Sequence, residues 1–136
     1  HHCLGMDANG NIAMLDTPGN PDTHVVLRGG RNLTNFDANS IAQTLTQLQK
    51  AEQGNNLHAK VIVDCSHDNS QKQHDNQLPI AKEVVQQIVN GNQNISGIML
   101  ESFIEPGKQS MAGCEDDGCL KYGMSITDAC ISWEQT

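Results

Sequence analysis

The sequence predicts an α/β fold: the C-terminal part of a (β/α)8 TIM barrel with a β-hairpin insertion near its start. Three observations carry that expectation. The apolar runs Val25-Val26-Leu27, Val61-Ile62-Val63 and Gly97-Ile98-Met99-Leu100 begin 36 residues apart. A helical pattern fills each gap, which is the rhythm of β/α units. Each run ends on residues that carry chemistry, namely Arg28-Gly29-Gly30, Asp64-Cys65-Ser66-His67 and Glu101-Ser102. In parallel β/α folds the reactive face lies at the C-terminal strand ends.

Residues 3–16 read as a hairpin. Leu4 and Met6 face Ile12, Met14 and Leu15 across Asp7-Ala8-Asn9-Gly10-Asn11, where Asn9-Gly10 suits a tight turn. Thr17 to Asp22 is a turn-rich connector. The first parallel strand covers about 24–28. A helix follows over about 38–52, capped by Asp37 or Asn39 and ended by Gly54, with Ile41, Leu45 and Leu48 on one face. The second strand is about 59–64, and Asp68-Asn69-Ser70 loops away from its end. A second helix covers about 79–90, with Pro79 in its first turn, Gly91 at its exit and a broad apolar face of Ile80, Val84, Val85, Ile88 and Val89. The third strand is about 96–101. Residues 105–123 form a long loop of no clear period, and Ser125 to Trp133 reads as a short helix.

Three parallel strands with two helices between them leave open sheet edges, and near-continuous apolar strands require cover on both faces. A closed barrel needs about 250 residues, so these 136 residues read as one partial barrel domain. It comprises the hairpin 3–16, the last three β/α units and a final helix cut short. His1-His2 is either a tag remnant or the continuation of something longer.

Composition narrows the function. Sixteen acidic residues against eight Lys or Arg give a net charge of −8, which argues against a nucleic-acid or anionic-membrane surface. No apolar run approaches the roughly 20 residues of a membrane span. Five cysteines at irregular spacing make a poor disulfide framework and point to a reducing cytoplasm.

His67, Glu101 and Asp128 are the candidate metal ligands. An imidazole and two carboxylates suit a catalytic Mn, Fe, Co or Zn ion, but the spacings of 34 and 27 residues form no local motif. A buried histidine and two solvated carboxylates would give the same pattern. Arg28, beside two glycines, suits the forked grip of a phosphate or carboxylate, or an ordinary salt bridge. Cys114 and Cys119 flank three acidic residues, which suits a soft metal or an exposed loop. Cys65 faces away if Asp64 and Ser66 point inward. His24, His58 and His74 lack convergent partners. Lys72 either reaches back to an anion or starts a helix.

Taken in order, Leu27-Arg28-Gly29-Gly30, Val63-Asp64-Cys65-Ser66-His67-Asp68-Asn69-Ser70, Met99-Leu100-Glu101-Ser102, Gly107-Lys108-Gln109-Ser110 and Tyr122 to Glu134 closely resemble the C-terminal part of the class I 3-deoxy-D-arabino-heptulosonate 7-phosphate (DAHP) synthases. The resemblance runs over nearly the whole chain, and His1-His2-Cys3 matches the start of that family's hairpin. It implies a cytoplasmic, metal-dependent transferase that condenses phosphoenolpyruvate with erythrose 4-phosphate, the first step of the shikimate pathway to aromatic amino acids. His67, Glu101 and Asp128 match three of the family's four metal ligands and are the implied catalytic residues. Arg28 matches an arginine that grips the phosphoenolpyruvate phosphate.

The family's ligand cysteine and its basic substrate motifs are absent from these 136 residues, so this stretch alone is expected to be inactive and to bind metal weakly. Cys3, Gly5 and Leu15 match positions lining the pocket for a feedback-inhibiting aromatic amino acid, and Gly5, by leaving room for a hydroxyl, suggests tyrosine. The intact protein is expected to be a homo-oligomer. The competing readings are a non-catalytic metal- or effector-binding module derived from the same barrel, and a small α/β interaction protein whose strand-end residues form salt bridges.

Overall fold

The computed structural model describes residues 2–18, 20, 22–52, 58–113 and 117–136. Strands β1 (His2–Met6) and β2 (Ile12–Asp16) form an antiparallel hairpin in the register Cys3↔Leu15, Leu4↔Met14 and Met6↔Ile12. Asp7 closes its turn by accepting the backbone N–H groups of Asn9 (2.8 Å) and Asn11 (2.9 Å), while Gly10 supplies the left-handed φ of 82°. Leu4, Met6, Ile12 and Met14 are all exposed.

The centre is a parallel sheet in the order β3-β4-β5, built from β3 (Val25–Leu27), β4 (Val61–Asp64) and β5 (Ile95–Met99). The two parallel connections carry α1 (Ala38–Glu52) and α2 (Gln77–Val89). Asp37 is the cap of α1: its Oδ1 accepts from the N–H groups of Asn39 and Ser40, both at 3.0 Å. The expected stop at Gly54 lies outside the described residues. A single 3-10 turn, His74–Asn76, leads into α2, so Pro79 stands at its third position. Gly91 at φ 103° closes α2, donating to the Ile88 carbonyl at 2.9 Å.

Alternation along β4 sets the two faces of the sheet. Val61, Val63 and Cys65 join Ile41 and Leu45 of α1 and Ile80, Ala81 and Val84 of α2 in one core. On the other face, Val26 stands opposite Ile62 and is 47% exposed. The apolar face of α2 is narrower than its sequence suggests, since Val85, Ile88 and Val89 are exposed.

The expected helix over Ser125 to Trp133 is absent. A short parallel pair replaces it, β6 (Ser102–Phe103) with β7 (Ile131–Ser132), followed by a capped 3-10 turn, Trp133–Gln135. Tertiary pairing takes the backbone groups that a helix would use. Ile131 N–H donates to the Glu101 carbonyl (2.9 Å), and Cys130 and Gly107 exchange both hydrogen bonds (3.1 and 2.8 Å). The β-branched Ile126, Thr127 and Ile131 favour that outcome. Among the described residues no helix is long and apolar enough to cross a membrane.

Candidate metal and anion site

The ends of β4 and β5 and the segment before β7 converge. His67, Glu101 and Asp128 each offer a ligand atom, and these atoms lie within 4.8 Å of one another. His67 Nε2 is 3.5 Å from Glu101 Oε1 and 3.9 Å from Asp128 Oδ2. Two carboxylates facing one imidazole nitrogen at such distances fit a divalent ion held by hard oxygen and borderline nitrogen donors.

The surrounding residues hold those atoms in place. The Asp64 side chain is 3% exposed, and its Oδ2 lies 2.7 Å from His67 Nδ1. A carboxylate oxygen at this distance favours the tautomer with the proton on Nδ1, which leaves the Nε2 lone pair directed to the site. The other Asp64 oxygen accepts from Ser66 N–H (2.8 Å), while Ser66 Oγ donates to Glu101 Oε2 (2.8 Å) and turns Oε1 toward the histidine. Fully buried Gln77 clamps the Glu101 backbone, accepting its N–H at 2.7 Å and donating to its carbonyl at 3.2 Å. His67 has a left-handed φ of 46°, an unfavourable backbone for a non-glycine residue, and such strain concentrates at functional sites. Asp128 arrives from the β7 side and remains 66% exposed.

Arg28 reaches the same cavity of about 300 Å³, which Lys72, His74 and Lys108 also line. The loop after β3 turns back sharply. Gly30 and Leu33 exchange hydrogen bonds at 2.9 and 3.0 Å around left-handed Arg31 and Asn32. Gly29 is required here, because its φ is 74° and a Cβ would approach Asn69 N and the Leu33 carbonyl to 2.8 Å. Buried Asn69 ties the parts together. Its Nδ2 donates to the Leu27 (3.0 Å) and Asp64 (2.8 Å) carbonyls, and its Oδ1 accepts from Asn35 N–H (2.8 Å). Asn35 Oδ1 in turn accepts from Gly29 N–H (2.7 Å).

Cys65 lies in the helix-covered core as expected. Burial, reinforced by the Asp64 charge, pushes its thiol up to about 11. Cys3, Cys65 and Cys130 are free, but Cys119 is disulfide-bonded, which the cysteine count did not anticipate. The soft-metal alternative involves Cys114, which lies outside the described residues. On the hairpin, Cys3 and Leu15 are register partners, and the space left by Gly5 is taken by Leu15, whose Cδ1 stands 2.5 Å from where a Cβ would be.

Sequence reasoning left five contributors unassigned. Asp64 carried a signal, being a carboxylate three residues before a candidate ligand at a strand end. Lys108 and His74 had none beyond their charge or ring. Asn69 and Gln77 act through tertiary contacts that no local pattern marks.

The profile of the DAHP synthetase I family matches residues 1–136. The phospho-2-dehydro-3-deoxyheptonate aldolase, tyrosine-inhibited, of Schizosaccharomyces pombe is 45% identical over 139 residues, covering 100% of this chain and 36% of its own length. The phenylalanine-inhibited aldolase of Saccharomyces cerevisiae is 42% identical over 136 residues, with 100% and 37% covered. The solved phospho-2-dehydro-3-deoxyheptonate aldolase of Francisella tularensis SCHU S4 superposes with a TM-score of 0.82 at 36% identity, over 99% of this chain and 37% of that one. The chain therefore spans little more than a third of the length of these relatives.

Proposed function

The chain belongs to the DAHP synthetase I family, and from that premise we propose that the protein carrying it is a DAHP synthase. The reaction joins the methylene carbon of phosphoenolpyruvate to the aldehyde carbon of erythrose 4-phosphate, while one water adds to the middle carbon of phosphoenolpyruvate and inorganic phosphate leaves, yielding DAHP at the entry to aromatic amino acid biosynthesis. The observation that carries this reading is the convergence of His67, Glu101 and Asp128 within 4.8 Å in a cavity shared with Arg28. On this reading the sheet β3-β4-β5 and its helices are the last units of a (β/α)8 barrel. The uncovered face bearing Val26 and Ile62 is then the barrel interior.

His67, Glu101 and Asp128 would hold a divalent ion of the Mn, Fe, Co or Zn type, with Asp64 fixing the histidine tautomer and Ser66 orienting Glu101. Such an ion supplies Lewis-acid polarisation of the aldehyde oxygen. Arg28 binds the phosphoenolpyruvate phosphate in a fork of N–H donors. It thereby holds the enol carbon near the aldehyde and steadies the phosphate as it leaves. Positioning of this kind lowers the barrier by making the encounter unimolecular.

Feedback control by an aromatic amino acid follows from the relatives' names, and Cys3, Gly5 and Leu15 mark the hairpin as its seat. Tyrosine is the first effector to test, although Leu15 must swing aside if the space at Gly5 is to receive a hydroxyl. A homo-oligomer in the cytoplasm completes the reading; the free thiols of Cys3, Cys65 and Cys130 fit that compartment and the Cys119 disulfide does not. The test is phosphoenolpyruvate consumption with erythrose 4-phosphate and Mn²⁺, run on the full-length protein and on residues 1–136 alone. Activity confined to the full-length protein is expected and should vanish in Glu101→Gln. A folded full-length protein that consumes no phosphoenolpyruvate refutes the assignment.

A further inference from the structure

The three candidate ligands are not held alike. Asp64 orients His67, and Ser66 and Gln77 orient Glu101. Among the described residues the Asp128 carboxylate makes no hydrogen bond; it only faces His67 Nε2 at 3.9 Å and is largely exposed. Its backbone must therefore do the placing. We infer that Gln109 is the positioning residue of Asp128 and sets the ion affinity of the site from outside it; this rests on the metal reading proposed above.

Asp128 lies in a short excursion, residues 125–130, whose two ends are pinned to the same three residues. At the entry, Lys108 bridges Ser125 in parallel register, and Gln109 N–H donates to the Ser125 carbonyl at 2.8 Å. At the exit, Gly107 and Cys130 exchange both backbone hydrogen bonds, and Ile131 N–H donates to the Glu101 carbonyl. Within the excursion, Ser125 Oγ accepts from Thr127 N–H at 3.2 Å.

The Gln109 side chain secures the entry. Its Oε1 accepts from Lys121 N–H (2.7 Å), while Nε2 donates to the carbonyls of Lys121 (2.8 Å) and Met124 (2.9 Å). Both amide hydrogens are thus used. The amide pairs with both backbone groups of Lys121, as an adjacent strand would, although Lys121 is twelve residues away. Gly123 completes that turn at φ 78°, where a Cβ would come within 2.8 Å of Ile104. Buried Gln77 clamps the Glu101 N–H and carbonyl in the same manner. The two carboxylates that face His67 are thus each placed by a glutamine amide, directly for Glu101 and through the turn and Ser125 for Asp128.

The consequence falls on affinity. Metal–ligand distances tolerate deviations of only about 0.2 Å. A carboxylate that must first be ordered pays for that order when the ion binds. Without the clamp, Asp128 would begin from a wider range of positions, and the ion would bind more weakly.

The test titrates full-length protein with Mn²⁺ by calorimetry. Gln109→Met keeps the side-chain length and removes its polar bonds. Mn²⁺ affinity should fall about tenfold, and excess Mn²⁺ should restore phosphoenolpyruvate consumption. Gln109→Glu keeps the bond from Lys121 N–H but sets an oxygen against two carbonyls. It should weaken Mn²⁺ binding in the same direction and serves if Gln109→Met does not fold. Glu105→Gln breaks the exposed ion pair with Lys121 (2.8 Å) and spares the Gln109 bonds, so affinity should change by less than about twofold. In an Asp128→Ala background, Gln109→Met should have no further effect beyond about twofold, because the ligand it positions is gone. A merely structural glutamine would lower the melting temperature and leave Mn²⁺ affinity alone, or weaken it equally with and without Asp128. Either result overturns the inference, as does wild-type Mn²⁺ affinity in Asp128→Ala. Coupled losses of Mn²⁺ binding in a protein that consumes no phosphoenolpyruvate would leave the positioning role standing and remove only the reaction. Consumption of phosphoenolpyruvate without that coupling would do the reverse.

Discussion

Replacing Asp64 by asparagine isolates what the carboxylate behind His67 contributes. The substitution keeps shape and volume. An amide Oδ1 can still accept from Ser66 N–H, now at 2.8 Å, so the local turn should survive. At the other position an NH2 donor replaces the oxygen that lies 2.7 Å from His67 Nδ1. To accept from it, the imidazole must move its proton to Nε2, the atom that faces Glu101 and Asp128 at 3.5 and 3.9 Å. The lone pair available to a metal is then lost unless the ring turns. Removal of such a supporting carboxylate weakens metal affinity by about 10–100-fold, or about 1.4–2.7 kcal/mol. The fold should lose about 1.5–3 kcal/mol, the range for a hydrogen bond to a charged group. Mn²⁺ titration of the full-length protein measures the first quantity and urea unfolding the second. Metal affinity within twofold of wild type in a folded Asp64→Asn protein would refute the tautomer argument.

Gln77→Leu should cost about 2–4 kcal/mol in urea unfolding, because the buried Gln77 side chain clamps both the N–H and the carbonyl of Glu101, and unmade buried bonds are expensive; a loss below about 0.5 kcal/mol would show that water replaces the clamp. Asp37 titrates below the usual carboxylate range, chiefly because the Ser40 hydroxyl and then the Ser40 N–H bond its charged form. Its stabilisation is therefore complete above the ordinary value of 3.8 and fades as pH falls through the lower folded value. Asp37→Asn should flatten that part of the acid-unfolding curve, and Asp37→Ala should cost about 1 kcal/mol at neutral pH. With its thiol pushed up to about 11 inside the core, Cys65 should resist alkylation at about pH 8 while exposed Cys3 reacts. Peptide mapping that finds Cys65 labelled at the rate of Cys3 would contradict its burial.

The repeat of apolar runs was sufficient to locate β3, β4 and β5, because a strand buried in a parallel sheet must be apolar along its length. Ile41 and Leu45, and likewise Ile80 and Val84, revealed their helices by their i, i+4 spacing, which sets each pair on one buried face. The segment from Ser125 to Trp133 misled because its local pattern is overridden by pairing with residues 101–108, which no window around it contains. The candidate ligands were visible one at a time, His67 and Glu101 after strands and Asp128 in a segment read as a helix. Their convergence depends on the sheet order, and the support from Asp64, Asn69 and Gln77 depends on side chains crossing between elements. The spacing of residues along the chain encodes neither.

Asn69 bonds the end of β3, the end of β4 and, through Asn35, the glycine turn beside Arg28. The loop proposed to bind the anion and the loop proposed to bind the metal are thereby joined through one hydrogen-bonded side chain. An ion that tightened the His67 segment would then also restrain Arg28. Thermodynamic reciprocity then requires that an anion on Arg28 raise the protein's affinity for the ion by the same factor. If both proposed sites fill, Asn69→Ala should weaken that mutual enhancement, leaving only the direct attraction between an anion and an ion in one cavity.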